Sequence, residues 1–265
     1  MELTSDSAKL LAFLAGLGLF AGLETWRPAR ALQRPRWRRF GFHGGVALLN
    51  TVIVRLLVAA PLLLWLQHAQ QQGWGLASWL GLQGGLELLI SLVVLDAFDY
   101  FWHRANHRVG FLWRFHKAHH SDTEMDVSTA LRFHPGELLI SALVKALWIV
   151  LWGPSVAAWV LFEILVSLFA QFHHSNLALP PRFERVLAWF IVTPQYHSAH
   201  HAVPRHWGDR NFSIILSVWD RLFGSLAVVP PGAEPGPLGL PEQRERAFAP
   251  LAYLAEPLNA SNTRL

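Results

Sequence analysis

Residues 85–120 read GLELLISLVVLDAFDYFWHRANHRVGFLWRFHKAHH. An apolar run long enough to approach the width of a bilayer leads without a break into His103 and His107, and soon afterwards into His116, His119 and His120. On a helix, the i, i+4 spacing of His103 and His107 puts both imidazoles on one face, where they can converge on a metal. In His116-Lys-Ala-His119-His120 the i, i+3 and i, i+4 relations keep all three rings within about 100° of one face. Neighbouring rings at i+3 and i+4 can point at two different ions. This stretch predicts a helical membrane protein whose spans deliver histidines to a metal.

The pattern recurs further along the chain. His197-Ser-Ala-His200-His201 repeats the HxxHH element, His134 stands in RFHPGE, and His173-His174 precede Ser-Asn. Of 14 histidines, eleven lie between residues 103 and 201, while His43, His68 and His206 fall outside the clusters and stay unassigned. Two HxxHH copies together with an HxxxH are far beyond chance for this composition. The chain has no Cys, which excludes disulfides, iron–sulfur clusters, thiolate zinc sites and a cysteine nucleophile. Neutral imidazole suits Zn, Cu, Fe and Ni. A single zinc takes four ligands, or three and a water, so eight to ten histidines are too many for one such ion. Two ions sharing them fit the count. Such an all-nitrogen set differs from the Glu-rich sites of soluble di-iron bundles. Asp99, one turn before His103, is positioned to orient a ring from behind, as is Asn176. Asp126, Glu137, Asn211 and Asp220 are weaker candidates, for which capping or solvation is an equally good reading.

Composition agrees with a membrane setting. The chain has 265 residues, 52% hydrophobic and only 15% charged, against about 25% charged in soluble domains. These proportions argue against disorder and against a nucleic-acid partner. The net charge of +4 is concentrated in Arg27, Arg30, Arg34, Arg36, Arg38 and Arg39, between two apolar runs, and reads as an orientation signal. Residues 8–24, without the basic start and cleavage site of a signal peptide, read as a retained anchor. Residues 44–66 and 77–102 read as full spans. The loop 67–76 between them carries no Lys or Arg, so the Arg-rich 25–43 is placed in the cytoplasm and 67–76 on the other side. A second apolar block, 138–172, is broken by Gly153-Pro154 into a hairpin whose ends emerge together. Every histidine from 103 to 201 is thereby placed on the cytoplasmic face. Trp102, Trp113, Trp148 and Trp189 are placed at the membrane boundary, chiefly as interfacial anchors. The expected fold is all-α: a polytopic membrane protein with about three transmembrane helices, a broken apolar hairpin and a cytoplasmic helical histidine-rich cap. Residues 1–84 form the anchor, 85–227 the catalytic domain and 228–265 a Pro-rich irregular tail.

Charges inside the spans need partners. Arg55 and Glu87 fall at similar depth in an antiparallel pair, as do Lys145 and Glu163 about the Gly153-Pro154 turn. Two structural ion pairs are expected, with a carboxylate lining a substrate channel as the alternative.

DAFDYFWHRANH, WRFHKAHHS, STALRFHPGE, HHSNLALP, VTPQYHSAHH and NFSIILSVWDRLFGS resemble the fatty acid hydroxylase/sterol desaturase superfamily over roughly residues 85–225. The resemblance implies a non-haem di-iron centre that uses O₂ as co-substrate to oxidise a C–H bond of a lipid. It carries His103, His107, His116, His119, His120, His197, His200 and His201 as ligands, with His134 and His174 added; His174 is preferred to His173 because it adjoins Ser175-Asn176. Iron is the implied metal, with zinc an ion that isolated protein can carry. The chemistry fits the setting, because side-chain acids and bases cannot attack such a C–H bond and the oxidant has to come from a cofactor. The implied reaction consumes two electrons per O₂. The chain has neither a cluster ligand set nor a GxGxxG fingerprint, so a separate donor is expected, a reductase with a ferredoxin or a cytochrome b5-like protein. Hydroxylation and desaturation are sibling outcomes that spacing does not separate. A membrane metal-binding or transport protein and a zinc-dependent hydrolase are the competing classes. The gathering of histidines at one face speaks against transport, and the lack of a His-Glu base motif against hydrolysis.

Overall fold

The computed structural model describes residues 2–230, 233, 235–242 and 244–259. The chain begins with α1 (Glu2–Trp26). Helix α2 (Arg36–Val54) passes through one π turn at Arg55–Ala59 into α3 (Ala60–Gln71), so the expected span 44–66 is the middle of one long rod. The short α4 (Leu76–Trp79) turns the chain into α5 (Gly84–Arg108), and Val109 alone separates α5 from α6 (Gly110–His120). The two arms of the apolar hairpin are α7 (Pro135–Trp152) and α8 (Val156–His174). Short helices follow: α9 (Pro181–Leu187), α10 (Pro194–His200), α11 (Arg205–Gly208), α12 (Val218–Leu222) and α13 (Pro250–Leu254). Among the described residues no strand forms; there are only isolated bridges, Pro28 with Leu177, Ile191 with Leu216 and Ala202 with Leu238. The protein is all-α.

Four helical segments are long and apolar enough to cross a membrane: Ser7–Trp26, Arg36–Trp79, Pro135–Trp152 and Val156–His174. Their outward leucines, such as Leu11, Leu56 and Leu143, are largely exposed, which suits a lipid solvent and would be costly in water. The α5 segment, read as a span over 77–102, is not one of the four. It carries Glu87, Asp96 and Asp99, all turned inward and buried. Asp96 accepts the backbone N–H of Ile215 and Leu216 and the indole N–H of Trp219, which ties the cap to this helix.

One expected ion pair forms and one does not. Lys145 Nζ lies 3.4 Å from Glu163 Oε1, and Lys9 of α1 joins the same carboxylate. Glu87 does not face Arg55. Its Oε1 accepts from Ser91 Oγ at 2.7 Å and from Ser155 N at 2.9 Å, so it caps the start of α8, whose first N–H groups have no helical partner. That end of the bundle closes where Gly75 (φ +93°) meets Gly153 (φ +73°). A Cβ on Gly153 would sit 2.0 Å from the Trp74 carbonyl oxygen, so the close turn requires glycine.

The reading of the arginines as orientation signals needs correction for Arg39. Its side chain is fully buried, and its guanidinium donates to Asp126 at 2.6 Å, bidentately to Asp122 at 3.0 Å, and to Thr129 at 3.1 Å. Arg36 likewise pairs with the buried Glu24. The tail is also more than an irregular appendage. Residues 237–242 and 244–259 strap the cap: Val203 N donates to Pro237 O, Gly239 N to His201 O, and Arg132 Nη2 to Ala247 O, while Lys117 pairs with Glu256.

Candidate metal centre

Nine histidines meet where α5, α6, α8 and α10 converge. They sort into two buried groups: His103, His107, His116, His120 and His200 in one, and His119, His174, His197 and His201 in the other. Within each group every histidine offers one ring nitrogen that lies within 4.8 Å of those of the others. The allotment is crossed. From the first HxxHH, the i, i+4 pair His116 and His120 joins the larger group and His119 the smaller. From the second, the i, i+4 pair His197 and His201 joins the smaller group and His200 the larger. Ring stacking of His120 on His201, centroids 4.3 Å apart, joins the two halves.

The nitrogens are disposed as a metal requires. In the smaller group, His174 Nε2 stands 3.1 Å from both His119 Nε2 and His197 Nε2, and His197 Nε2 stands 3.2 Å from His201 Nε2. Donors about 2.05 Å from a shared ion and about 100° apart would be separated by about 3.1 Å. In the larger group, Nε2 of His107, His116 and His200 and both nitrogens of His120 are buried without a hydrogen-bond partner. Polar atoms left this way are costly unless something binds them, and a cation would satisfy one nitrogen of each ring.

The outer nitrogens explain how the rings are aimed. His103 Nδ1 is 2.8 Å from Phe212 O, His119 Nδ1 3.0 Å from Arg132 O, His174 Nδ1 2.7 Å from Ala170 O, and His200 Nδ1 2.7 Å from Arg210 O. His116 Nδ1 is 2.8 Å from Glu137 Oε1. An acceptor at Nδ1 holds the proton there and leaves the Nε2 lone pair facing inward. Burial first, and then neighbouring imidazoles, hold His119, His120, His197 and His201 well below the ordinary histidine range. Burial lowers His200 to about 3. These rings are neutral at physiological pH, the form that ligates.

Local sequence places these acceptors. Asp126 caps the 3₁₀ turn Val127–Leu131 in a capping box with Thr129, and the turn delivers Arg132 across α6, where its Nε donates to Ala118 O at 2.9 Å. Asp220 gathers Phe212 N, Ser213 N, Tyr196 Oη and Ser225 Oγ, which fixes the segment carrying the Phe212 carbonyl beside α10.

His134 enters neither group. It is the N-cap of α7, its Nδ1 accepting Gly136 N–H and its Nε2 facing Leu254 O at 3.1 Å. His173 is also outside the groups, although its ring lies 4.1 Å from that of His197 and its Nδ1 is buried and unpartnered. Asp99 does not orient His103, whose Nδ1 is taken by a carbonyl. Asn176 instead holds the backbone of Arg30, through Arg30 N to Oδ1 and Nδ2 to Arg30 O. Asn211, at φ +60°, donates to Tyr196 O and Ala227 O. His43 is a buried core residue bonded to Ser128 Oγ at 2.8 Å. The four orienting carbonyls had no sequence signal, because every residue carries one.

Both groups border one cavity of about 240 Å³. His103, His116, His119, His174 and His197 form one wall, and Phe133, Leu138, Val166, Ala170 and Ile214 give it an apolar lining. Asp99, Ser141 and Lys145 also border it. From Glu137 to Lys145 on α7, and from Val166 to His174 on α8, it follows about 12 Å of helix towards the membrane-spanning region.

Residues 88–225 match the profile of a family described as "Fatty acid hydroxylase". Human alkylglycerol monooxygenase is 31% identical over 130 residues, which is 48% of this chain and 28% of that protein. The ornithine lipid hydroxylase OlsE of Rhizobium tropici is 26% identical over 202 residues, 76% of this chain and 57% of that protein. The very-long-chain aldehyde decarbonylase GL1-9 of rice (Oryza sativa subsp. indica) is 31% identical over 143 residues, 52% of this chain and 54% of that protein. The chain thus spans less than a third of the first of these relatives and little more than half of the other two. No solved structure matches.

Proposed function

The chain belongs to the fatty acid hydroxylase family, and from that premise we propose that it is a membrane-bound non-haem di-iron oxidoreductase that hydroxylates a C–H bond of a lipid. The observation that carries this reading is the opening of two adjacent all-imidazole groups onto one apolar cavity that descends along α7 and α8. Two iron ions would be held by the five-histidine and four-histidine groups, respectively. Bound iron would supply the activation of O₂, with two electrons and two protons taken up as the lipid gains a hydroxyl and water leaves.

The residues of the chain do the rest. The Nδ1 acceptors hold His103, His116, His119, His174 and His200 in register before the reaction begins. Phe133, Leu138, Val166, Ala170 and Ile214 pack an alkyl segment against the histidine wall and keep water away from it. Ser141, Lys145 and Asp99 offer polar contacts further down the cavity, where Lys145 is already neutralised by Glu163. The relatives named hydroxylase or monooxygenase support hydroxylation over the sibling desaturation.

Orientation follows the charge distribution. The Arg-bearing segment 25–43 lies at the histidine end, where Arg39 meets Asp122 and Arg30 N meets Asn176, while the Gly75–Gly153 contact marks the opposite end. The positive-inside tendency therefore favours a cytoplasmic metal centre, with exposed Arg27 and Arg38 available to an acidic soluble electron donor. The test is metal analysis with Mössbauer spectroscopy on protein expressed with ample iron, coupled to lipid oxidation with a reductase system. Two coupled irons and a hydroxylated lipid are expected. A mononuclear site, or turnover without O₂, would overturn the reading.

A further inference from the structure

The cap carries an apolar surface that neither the spans nor the cavity uses. On α9 and the residues after it, Phe183, Val186, Trp189 and Phe190 all point outward, Phe190 with 66% of its surface exposed. Leu222 and Phe223 at the end of α12 extend the same surface. The two segments are one unit. Ile191 bridges to Leu216, Arg221 donates to the Ala188 and Trp189 carbonyls, and its guanidinium lies 4.6 Å over the Trp189 ring.

The charges of this unit are of one sign. Arg182 and Arg185 are exposed beside the aromatic rings. The two acids, Glu184 and Asp220, are buried, bonded to Thr193 and to the Tyr196 network. The surface is also continuous with the lipid-facing side of α5. Phe223 packs 4.8 Å from Phe101, which is itself exposed, and Trp219 is tied to Asp96, two turns (about 10 Å) to the membrane side of His103. Exposed aromatic residues, unpaired arginines and an attachment on the membrane side of the cap are the features of an interfacial element.

We infer that Pro181–Phe190 and Val218–Phe223 form a belt seated in the headgroup region of the bilayer, its rings among the upper acyl chains and Arg182 and Arg185 against anionic lipid phosphates. The belt flanks the second HxxHH on both sides in sequence. Seating it fixes the depth of α10, whose N-cap Thr193 is bonded to Glu184 of α9, and of the Phe212 carbonyl behind His103. The membrane surface thereby helps hold the ligand set, apart from the helices that cross it.

The 265-residue chain has no cysteine, so its single-cysteine variants can be labelled with bimane without further changes. Phe190→Cys and Leu222→Cys report on the belt, Leu143→Cys on a span, and Glu245→Cys on the aqueous strap. Val186→Cys replaces either belt site if that variant fails to fold, as judged by its helical circular dichroism and thermal melt. Each is reconstituted in phosphatidylcholine vesicles with or without 30% phosphatidylglycerol. Labels at 190 and 222 are expected to be quenched by lipids brominated near the headgroup and shielded from iodide, unlike the label at 245. Brominated phosphatidylglycerol is expected to quench them severalfold more than brominated phosphatidylcholine at equal mole fraction, and Arg182→Gln/Arg185→Gln to abolish that preference. Iodide reaching 190 and 222 as readily as 245 would overturn the belt, and so would disulfide-linked dimers through position 190, which would show a second copy covering the surface. Equal quenching by the two lipids before the arginines are changed would overturn the headgroup contact. Quenching needs neither iron nor turnover, so the result is independent of the proposed activity.

Discussion

The two HxxHH boxes have the same spacing but are supported by different kinds of group. The first lies on α6, an 11-residue helix, and is surrounded by charged side chains. Glu137 holds His116, Arg132 spans from Ala118 O to Ala247 O, and Arg39 ties down the acidic loop that follows the box. The second lies on the seven-residue α10 and is aimed mainly by backbone. The Arg210 carbonyl holds His200, and Asp220 organises the chain that presents the Phe212 carbonyl to His103 of α5, whose ring lies 4.5 Å from that of His200. Spacing decides which group each ring joins. What fixes the ring is set by distant parts of the chain, and it differs between the two boxes.

The strongest test of that division is to remove one ring from each group. His120→Ala takes a donor from the five-histidine group, and His201→Ala one from the four-histidine group. Each variant should lose close to one metal equivalent, from different sites, and lipid oxidation should fall by more than about 100-fold in both, beyond the effect of losing an outer partner. Iron quantification with Mössbauer spectra reads this directly. If both variants lost the same site, the crossed allotment would be wrong. The next largest effect concerns support alone. Arg39→Ala leaves Asp122 and Asp126 buried without their cation, which should cost about 3–5 kcal/mol of stability. A thermal melt of the detergent-solubilised protein that matched the parent would show that buried charge is not what holds the first box.

Much of the centre was legible because the i, i+3 and i, i+4 relations are fixed by helix geometry. His116 and His120 face one way and His119 another wherever the helix goes. His134 illustrates the limit: a histidine before Pro-Gly can ligate, or it can cap a helix, and only the tertiary position of α7 decides. Arg39 shows a second limit. An arginine flanking a span looks like an orientation signal, and its buried partners lie more than 80 residues away. The apolar pattern marked the spans, but α5 defied the simple count because Glu87 and Asp96 are satisfied from within the protein and Asp99 borders the cavity. Glu137, a weaker candidate for orienting a ring with capping an equally good reading, stands behind His116 as its side-chain acceptor. Glu137→Ala should therefore weaken metal binding about 10–100-fold at the larger group, with Glu137→Gln recovering part of it because an amide oxygen still accepts from Nδ1–H. Titration with a competing chelator measures both. An equal loss from the two groups would contradict the assignment.

The second box should be more tolerant of side-chain changes, since the acceptor that aims His200 is a carbonyl, which substitution does not remove. Tyr196→Phe is the fitting probe. The tyrosine hydroxyl donates to Asp220 Oδ2 at 2.7 Å, and that carboxylate also receives Phe212 N, Ser213 N and Ser225 Oγ. Losing one donor of four leaves Asp220 still largely satisfied, so the cost should be near 1 kcal/mol rather than that of a stranded buried charge. The ring itself keeps its packing, and α10 keeps its Thr193 cap. A small fall in melting temperature with both metals retained is expected. Loss of the metals on this change would mean that the second box hangs on one side-chain contact, and the contrast between the two boxes would disappear.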